Sequence, residues 1–225
     1  MIQALLEKMI AATPEGARTF FDTSSFPWVT QVETDWRQIR AELDVLLLQR
    51  ERIPSFQEIS EDQKLLTEGN DWKTFFLYGY GREVAKNVAR CPQTAKLLRS
   101  IPGMKTAMFS ILAPGKHIPP HRGLYKGVLR YHLGLLIPDP ERCGIRVGNE
   151  TRNWQEGKSL IFDDTHEHEA WNHSQAYRVV LFVDFVRRLP VPLSLANRIQ
   201  IWRIARKPFV MDAARRLEEY EARLR

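Results

Sequence analysis

From residue 104 the chain falls into short apolar runs: "TAMFSILA", "VLRYHLGLLI", "CGIRVGN", "KSLIFDD", "HEAWNHS" and "YRVVLFVDFV". Turn residues separate them at Pro114-Gly115, Pro138 to Pro140, Gly148-Asn149 and Glu156-Gly157. Serial short strands punctuated in this way predict an antiparallel sandwich or barrel. The first hundred residues differ in character. "MIQALLEKMIAA" and "DWRQIRAELDVLLLQRE" carry apolar residues at helical spacing, with Thr34 or Asp35 as a cap for the second. "DWKTFFLYGYG" reads as a strand, and "GREVAKNVARCPQTAKLLRSIPG" as a helix interrupted at Cys91-Pro92. The expected organisation is a helix-rich region over 1–103 packing on a barrel, a β core over 104–190, and a basic helical extension over 191–225. The N-terminal helices are expected to shape the mouth of the site.

Composition narrows the class. Hydrophobic content of 44% with 27% charged residues is that of a soluble globular chain. The most apolar run, "YRVVLFVDFVRR", is too short for a membrane span and carries Arg178 and Asp184. The N-terminus lacks the pattern of a secretory signal, so a cytoplasmic location is expected, with peripheral membrane contact as an alternative. Two cysteines are too few for a disulfide framework or a thiolate metal site. No phosphate loop and no aromatic-plus-basic nucleic-acid motif is present. The net charge of +6 owes much to the C-terminal segment, where Arg198, Arg203, Arg206 and Lys207 lie among Ile201, Ile204 and Ala205. That pattern fits a lipid-headgroup surface, or a packed helix with a solvated face.

All six histidines lie between His117 and His173. His121 follows Pro119-Pro120 at a stiff turn into a strand. His168 stands at the exit of one strand and the start of another. Histidines from separate strand ends can converge on one metal, and imidazole suits iron, zinc, copper or nickel. Arg130 and His132, two apart in "VLRYHLGLL", share one face of their strand. Arg178 opens a strand that is apolar on both faces, so its guanidinium needs a partner. Asp184 shares its face but lies about 20 Å along an extended strand, out of reach. Either a small carboxylate ligand, gripped in bidentate fashion, or another protein carboxylate would satisfy it.

The segments "FSILAPGKHIPPH", "GVLRYHLGLLIP", "GIRVGNETRNWQEGKSLIFDDTHEHEAWN" and "YRVVLFVDFVRR" together closely resemble the aspartyl/asparaginyl β-hydroxylase family of Fe(II)/2-oxoglutarate-dependent dioxygenases. The resemblance covers roughly residues 104 to 190. It implies a mainly β fold with helical flanks, a double-stranded β-helix (a cupin-like jelly roll). It also implies an enzyme using Fe(II), 2-oxoglutarate and O2, with His121 and His168 as iron ligands. Ser110, Arg130, His132 and Arg178 would bind the co-substrate carboxylates. Most dioxygenases of this kind complete the iron site with a carboxylate in a His-x-Asp or His-x-Glu motif. Here the motif reads His121-Arg122-Gly123, as in the β-hydroxylases themselves, where water fills the position. Asp164 is the nearest acid able to hold such a water, while Asp163 reads as turn chemistry.

By family name the substrate is the β-carbon of an aspartyl or asparaginyl residue, in an amino acid or peptide. A second branch hydroxylates lipid A acyl chains, and the basic C-terminal helix suits that alternative. A non-catalytic cupin-like binding protein is a further reading, and zinc in the same pocket another. The pattern does not set the oligomeric state. His117, His166 and His173 read as surface or turn residues, Trp154 and Trp171 as core or wall. Arg122 and Lys126 read as mouth or loop residues, and Cys143 as structural.

Overall fold

The apolar runs after residue 104 form strands in the computed structural model, which describes residues 2–60, 64–67 and 69–223. They are β4 (Met104–Leu112), β6 (Val128–Leu136), β7 (Cys143–Val147), β9 (Ser159–Phe162), β10 (His168–Asn172) and β11 (Arg178–Val186). Two further strands, β5 (His117–His121) and β8 (Glu150–Asn153), lie outside those runs, so His121 ends a strand where a turn into one was expected. Before them come β1 (Phe20–Phe21), β2 (Trp72–Gly79) and β3 (Arg82–Glu83). One sheet has the order β1-β9-β6-β11-β4-β2-β3 and the other β5-β10-β7-β8. Every named strand pair is antiparallel. The block β9-β6-β11-β4 facing β5-β10-β7-β8 is a jelly roll, the double-stranded β-helix that the resemblance implies. Strand β11 is apolar on both faces because it is central, bonded to β4 on one side and β6 on the other. The large sheet also recruits β1, β2 and β3, so residue 104 does not mark its edge.

Period-two alternation divides the large sheet. Leu129, Tyr131, Leu133 and Leu135 of β6 face outward into the main core. There they meet α2 (Trp28–Thr34), α3 (Trp36–Leu47), α5 (Ala85–Arg90) and α6 (Pro92–Arg99). Ile39, Leu43 and Leu46 supply the buried stripe of α3 at helical spacing. Each such side chain contributes roughly 1.5–3 kcal/mol on burial. The Cys91-Pro92 interruption is where α5 ends and α6 begins, with Pro92 opening the new helix. Asp35 stands at the N-cap of α3 without a side-chain capping bond.

These four helices cover the back of the large sheet, away from its inner face, which differs from the mouth-shaping role expected of the N-terminal region. A different helix, α4 (Phe56–Ile59), does reach the inner side. Its Ile59, with Leu217 of α8 (Pro208–Arg223), packs on Phe76, Met108 and Phe182. The basic C-terminal segment is therefore two helices, α7 (Leu193–Ile204) and α8. In α7 the buried residues include Ile201 and Ile204, packed near Tyr125, so the apolar spacing noted in the sequence is core-facing. No helix among the described residues is long and apolar enough to cross a membrane.

Candidate functional site

The jelly roll turns one face of each sheet inward, and the polar residues predicted for the site converge there. Strand pairing sets His121 of β5 opposite His168 of β10. Their rings lie 4.1 Å apart between centroids. His121 donates from Nδ1 to the Pro119 carbonyl at 2.8 Å, and His168 from Nδ1 to the His166 carbonyl at 3.0 Å. A ring nitrogen facing a carbonyl carries the proton, so each Nε2 keeps its lone pair. Burial, then His121 and Arg130 nearby, push the His168 ring down to about 3. Burial also lowers His121, with Arg130 adding to it. Both imidazoles are thus neutral at pH 7, tautomerically fixed and side by side, the state a divalent transition metal requires. Among the described residues no set of three or more His, Cys, Asp or Glu side chains converges for a metal ion, so the pair stands without a third protein ligand.

Beside the pair, Asp164 leaves the end of β9. It is 3% exposed and binds Arg130 Nη2 through Oδ2 at 2.8 Å. Its backbone carbonyl accepts from Gly123 N at 2.8 Å. A Cβ on Gly123 would overlap the Asp164 carboxylate, so glycine is needed for that close approach. The space a His-x-Asp side chain would enter is filled by an acid from the turn between β9 and β10. Burial pushes the Asp164 carboxyl up to about 6, against the pull of Arg130. Arg130 also donates from Nε to Asp184 Oδ1 at 2.9 Å, its partner across the β6–β11 pairing, and lies over the Phe182 ring. Asp184, out of reach of Arg178, is thus claimed by Arg130. The resemblance cast Arg130 as a co-substrate ligand, but its charge is already shared between two protein carboxylates.

The other three predicted co-substrate residues line the inner wall. Arg178 is 1% exposed, stacked over Trp154 at 4.4 Å, and its Nε and Nη1 have no hydrogen-bond partner among the described residues. Burial lowers its guanidinium to about 10. His132 is enclosed by Trp154, Phe162 and Phe182, and neither ring nitrogen has a partner among the described residues. Burial holds it neutral, well below the ordinary histidine value, and the charges of Arg130 and Arg178 lower it further. Ser110 Oγ accepts from Trp72 Nε1 at 3.0 Å. Trp72 was not singled out in the sequence, where it reads as one more strand aromatic. Buried cationic and polar groups without partners cost several kcal/mol, and among the described residues no carboxylate pairs with Arg178. The donor chemistry of that wall, a guanidinium and an imidazole without partners among the described residues, suits a small carboxylate.

Asp163 departs from its turn-chemistry reading. It does accept from Thr165 N at 3.0 Å, but it is fully buried and ion-paired to Lys126 at 2.7 Å and to Arg187. Lys126, read as a mouth or loop residue, is therefore interior. His117 is exposed and paired with Glu169, and His173 stacks on Trp171, both away from the histidine pair. His166 serves the site through its carbonyl. Cys143 is buried and unoxidised, its Sγ donating to Asn172 Oδ1. Arg122 is exposed.

The family model for aspartyl/asparaginyl β-hydroxylase matches residues 33–188, which contain every side chain of this site. The chain belongs to the aspartyl/asparaginyl β-hydroxylase family. It is similar to an ornithine lipid ester-linked acyl 2-hydroxylase from Rhizobium tropici, 48% identical over 89% of this chain and 72% of that protein. It is 37% identical to the aspartyl/asparaginyl β-hydroxylase of Homo sapiens over 70% of this chain, spanning 22% of that protein. A human aspartate β-hydroxylase domain-containing protein 2 is 37% identical over 52% of this chain and 34% of its own length. Membership of a hydroxylase family makes the Gly123 contact testable as part of a working site. Gly123→Ala should force Asp164 off Arg130 and cost about 1–3 kcal/mol, read by chemical denaturation. A variant as stable as the parent would show that Asp164 yields without cost.

Proposed function

We propose that this protein is an Fe(II)- and 2-oxoglutarate-dependent hydroxylase acting on an unactivated C–H bond of a lipid acyl chain. The observation that carries the iron reading is the His121/His168 pair, with both Nδ1 protons tied to backbone carbonyls. His121 and His168 would hold the metal through Nε2. Arg178, with Ser110 beside it, would take the far carboxylate of 2-oxoglutarate, and neutral His132 would orient the near one. Arg130 would fix the Asp164 carboxylate, which in turn would hold a water next to the metal. When bound, iron and 2-oxoglutarate supply the oxidation: 2-oxoglutarate and O2 become succinate and CO2, and one oxygen atom enters the C–H bond. The aromatic enclosure of Phe162, Phe182 and Trp154 keeps bulk water from the wall.

The sequence put an aspartyl or asparaginyl β-carbon first. Likeness over most of the chain to a protein named for acyl 2-hydroxylation supports the acyl alternative instead. An ester-linked acyl chain on an ornithine lipid is the first substrate to try. Anaerobic addition of Fe(II) and 2-oxoglutarate should give a weak visible metal-to-ligand charge-transfer band. Folded protein without the band would sink the iron reading. Succinate formed with an aspartyl peptide but not with the acyl lipid would return the peptide to first place.

A further inference from the structure

Helix α7 is apolar on both sides, yet it has one face in contact with the core. Leu193, Asn197, Gln200, Ile201 and Ile204 are buried. On the opposite face Leu195, Ile199 and Trp202, spaced four and three apart, are 56%, 54% and 56% exposed. Helix α1 (Ile2–Ala11) packs against α7 by burying Leu6 and Ile10 on Leu193. It leaves Ile2, Leu5 and Met9 exposed by 55%, 60% and 47%. A single exposed leucine needs no explanation, but three large apolar side chains along one face of α7, with three more exposed on the neighbouring α1, do.

We infer that these faces of α1 and α7 dock the protein on an anionic lipid bilayer. The charge around them selects that partner. Residues 188–207 contain Arg188, Arg198, Arg203, Arg206 and Lys207 and no Asp or Glu. None of Arg198, Arg203, Arg206 and Lys207 is ion-paired among the described residues. Arg206 lies over the Trp202 ring at 3.7 Å, an indole and guanidinium together at the level where headgroups meet acyl chains. A second copy on this face would set cations against cations, whereas an anionic bilayer accepts both the apolar stripe and the charge.

The surface is also held beside the site. Asn197 of α7 donates to the Gly127 carbonyl at 2.9 Å, and a Cβ on Gly127 would overlap its amide. Gln3 of α1 donates to the Leu124 carbonyl at 2.9 Å. Both contacts fall in the segment joining His121 to β6, which carries Gly123 against Asp164 and exposes the Leu124 side chain. Because Asn197 lies on the buried face of α7, docking through the opposite face would hold that segment one helix diameter, roughly 10 Å, from the bilayer. The purpose of the surface rests on the acyl-lipid reading above. Its existence does not.

Flotation of the full chain with phosphatidylcholine vesicles, with and without phosphatidylglycerol, tests the inference without iron or 2-oxoglutarate. The protein should float with the phosphatidylglycerol vesicles. The double variant Ile199→Ser, Trp202→Ser should lower partitioning by on the order of tenfold per side chain. Arg198→Glu, Arg203→Glu should lower it by at least about fivefold per position. Both pairs lie on exposed positions and should leave the charge-transfer band unchanged. Protein that stays in solution with both vesicle types would overturn the docking surface and leave the iron reading standing. So would a dimer that the Trp202→Ser variant dissociates, since that assigns the face to a second copy. A missing charge-transfer band with intact flotation would instead remove the iron reading alone.

Discussion

His168→Ala should abolish succinate formation, a loss of roughly a hundredfold or more in kcat/KM. In the proposed site two imidazoles would be the protein ligands, so removing one would leave a single donor and no chelate. The same variant should lose the charge-transfer band on anaerobic addition of Fe(II) and 2-oxoglutarate. Because His168 is buried, its removal also leaves a cavity, and a thermal melt must show the variant folded before either result counts. His117→Ala is the control. That histidine is exposed and engaged with Glu169, so turnover should survive. Full turnover in the His168→Ala variant would take His168 off the metal.

Asp163→Asn should cost about 3–5 kcal/mol of stability, read from the denaturation midpoint at constant slope. The substitution keeps the size of the side chain but leaves Lys126 and Arg187 buried against a neutral partner. Burial alone would raise the Asp163 carboxyl, but Arg187, Lys126 and Thr165 hold it below its ordinary value. A folded-state value lowered in this way contributes stability that is complete above the unfolded carboxyl value. That contribution disappears as pH falls through the lower folded one. The parent should therefore lose stability on acidification across that window, and the variant should lose less. The effect reaches the site through the chain, since Asp163 fixes the loop that presents Asp164 and the His166 carbonyl. A cost under about 1 kcal/mol would show the cluster to be solvated.

Most long elements were legible because apolar periodicity reports burial directly, whereas β5, "HIPPH", carries too little apolar pattern and its His121 was read at a turn. The Pro92 break and the common face of Arg130 and His132 follow from local rules. Placing His121 and His168 together came from their position at strand ends and from the resemblance. Register was not legible. Alternation tells which face Asp184 occupies but not which strand lies beside it, so its bond to Arg130 appears only once β6 and β11 are paired. The Lys126–Asp163–Arg187 cluster was hidden for the same reason, its members coming from three segments far apart in sequence. Strand β8, "ETRN", has no apolar residue to announce it and is held by β7. In α7 apolar residues occur all round, so spacing could not say which stripe faces the core.

The glycine in the His121-Arg122-Gly123 motif has an electrostatic consequence. Two neutral imidazoles bring no charge to a metal ion, and the carboxylate beside them is already shared with Arg130. A divalent cation here would keep its full positive charge within a poorly screened interior. Its retention would then favour the simultaneous arrival of a dianion, and each would raise the affinity of the other by the same factor. Glycine in place of an acid would thus turn metal loading and co-substrate supply in the proposed site into one linked equilibrium.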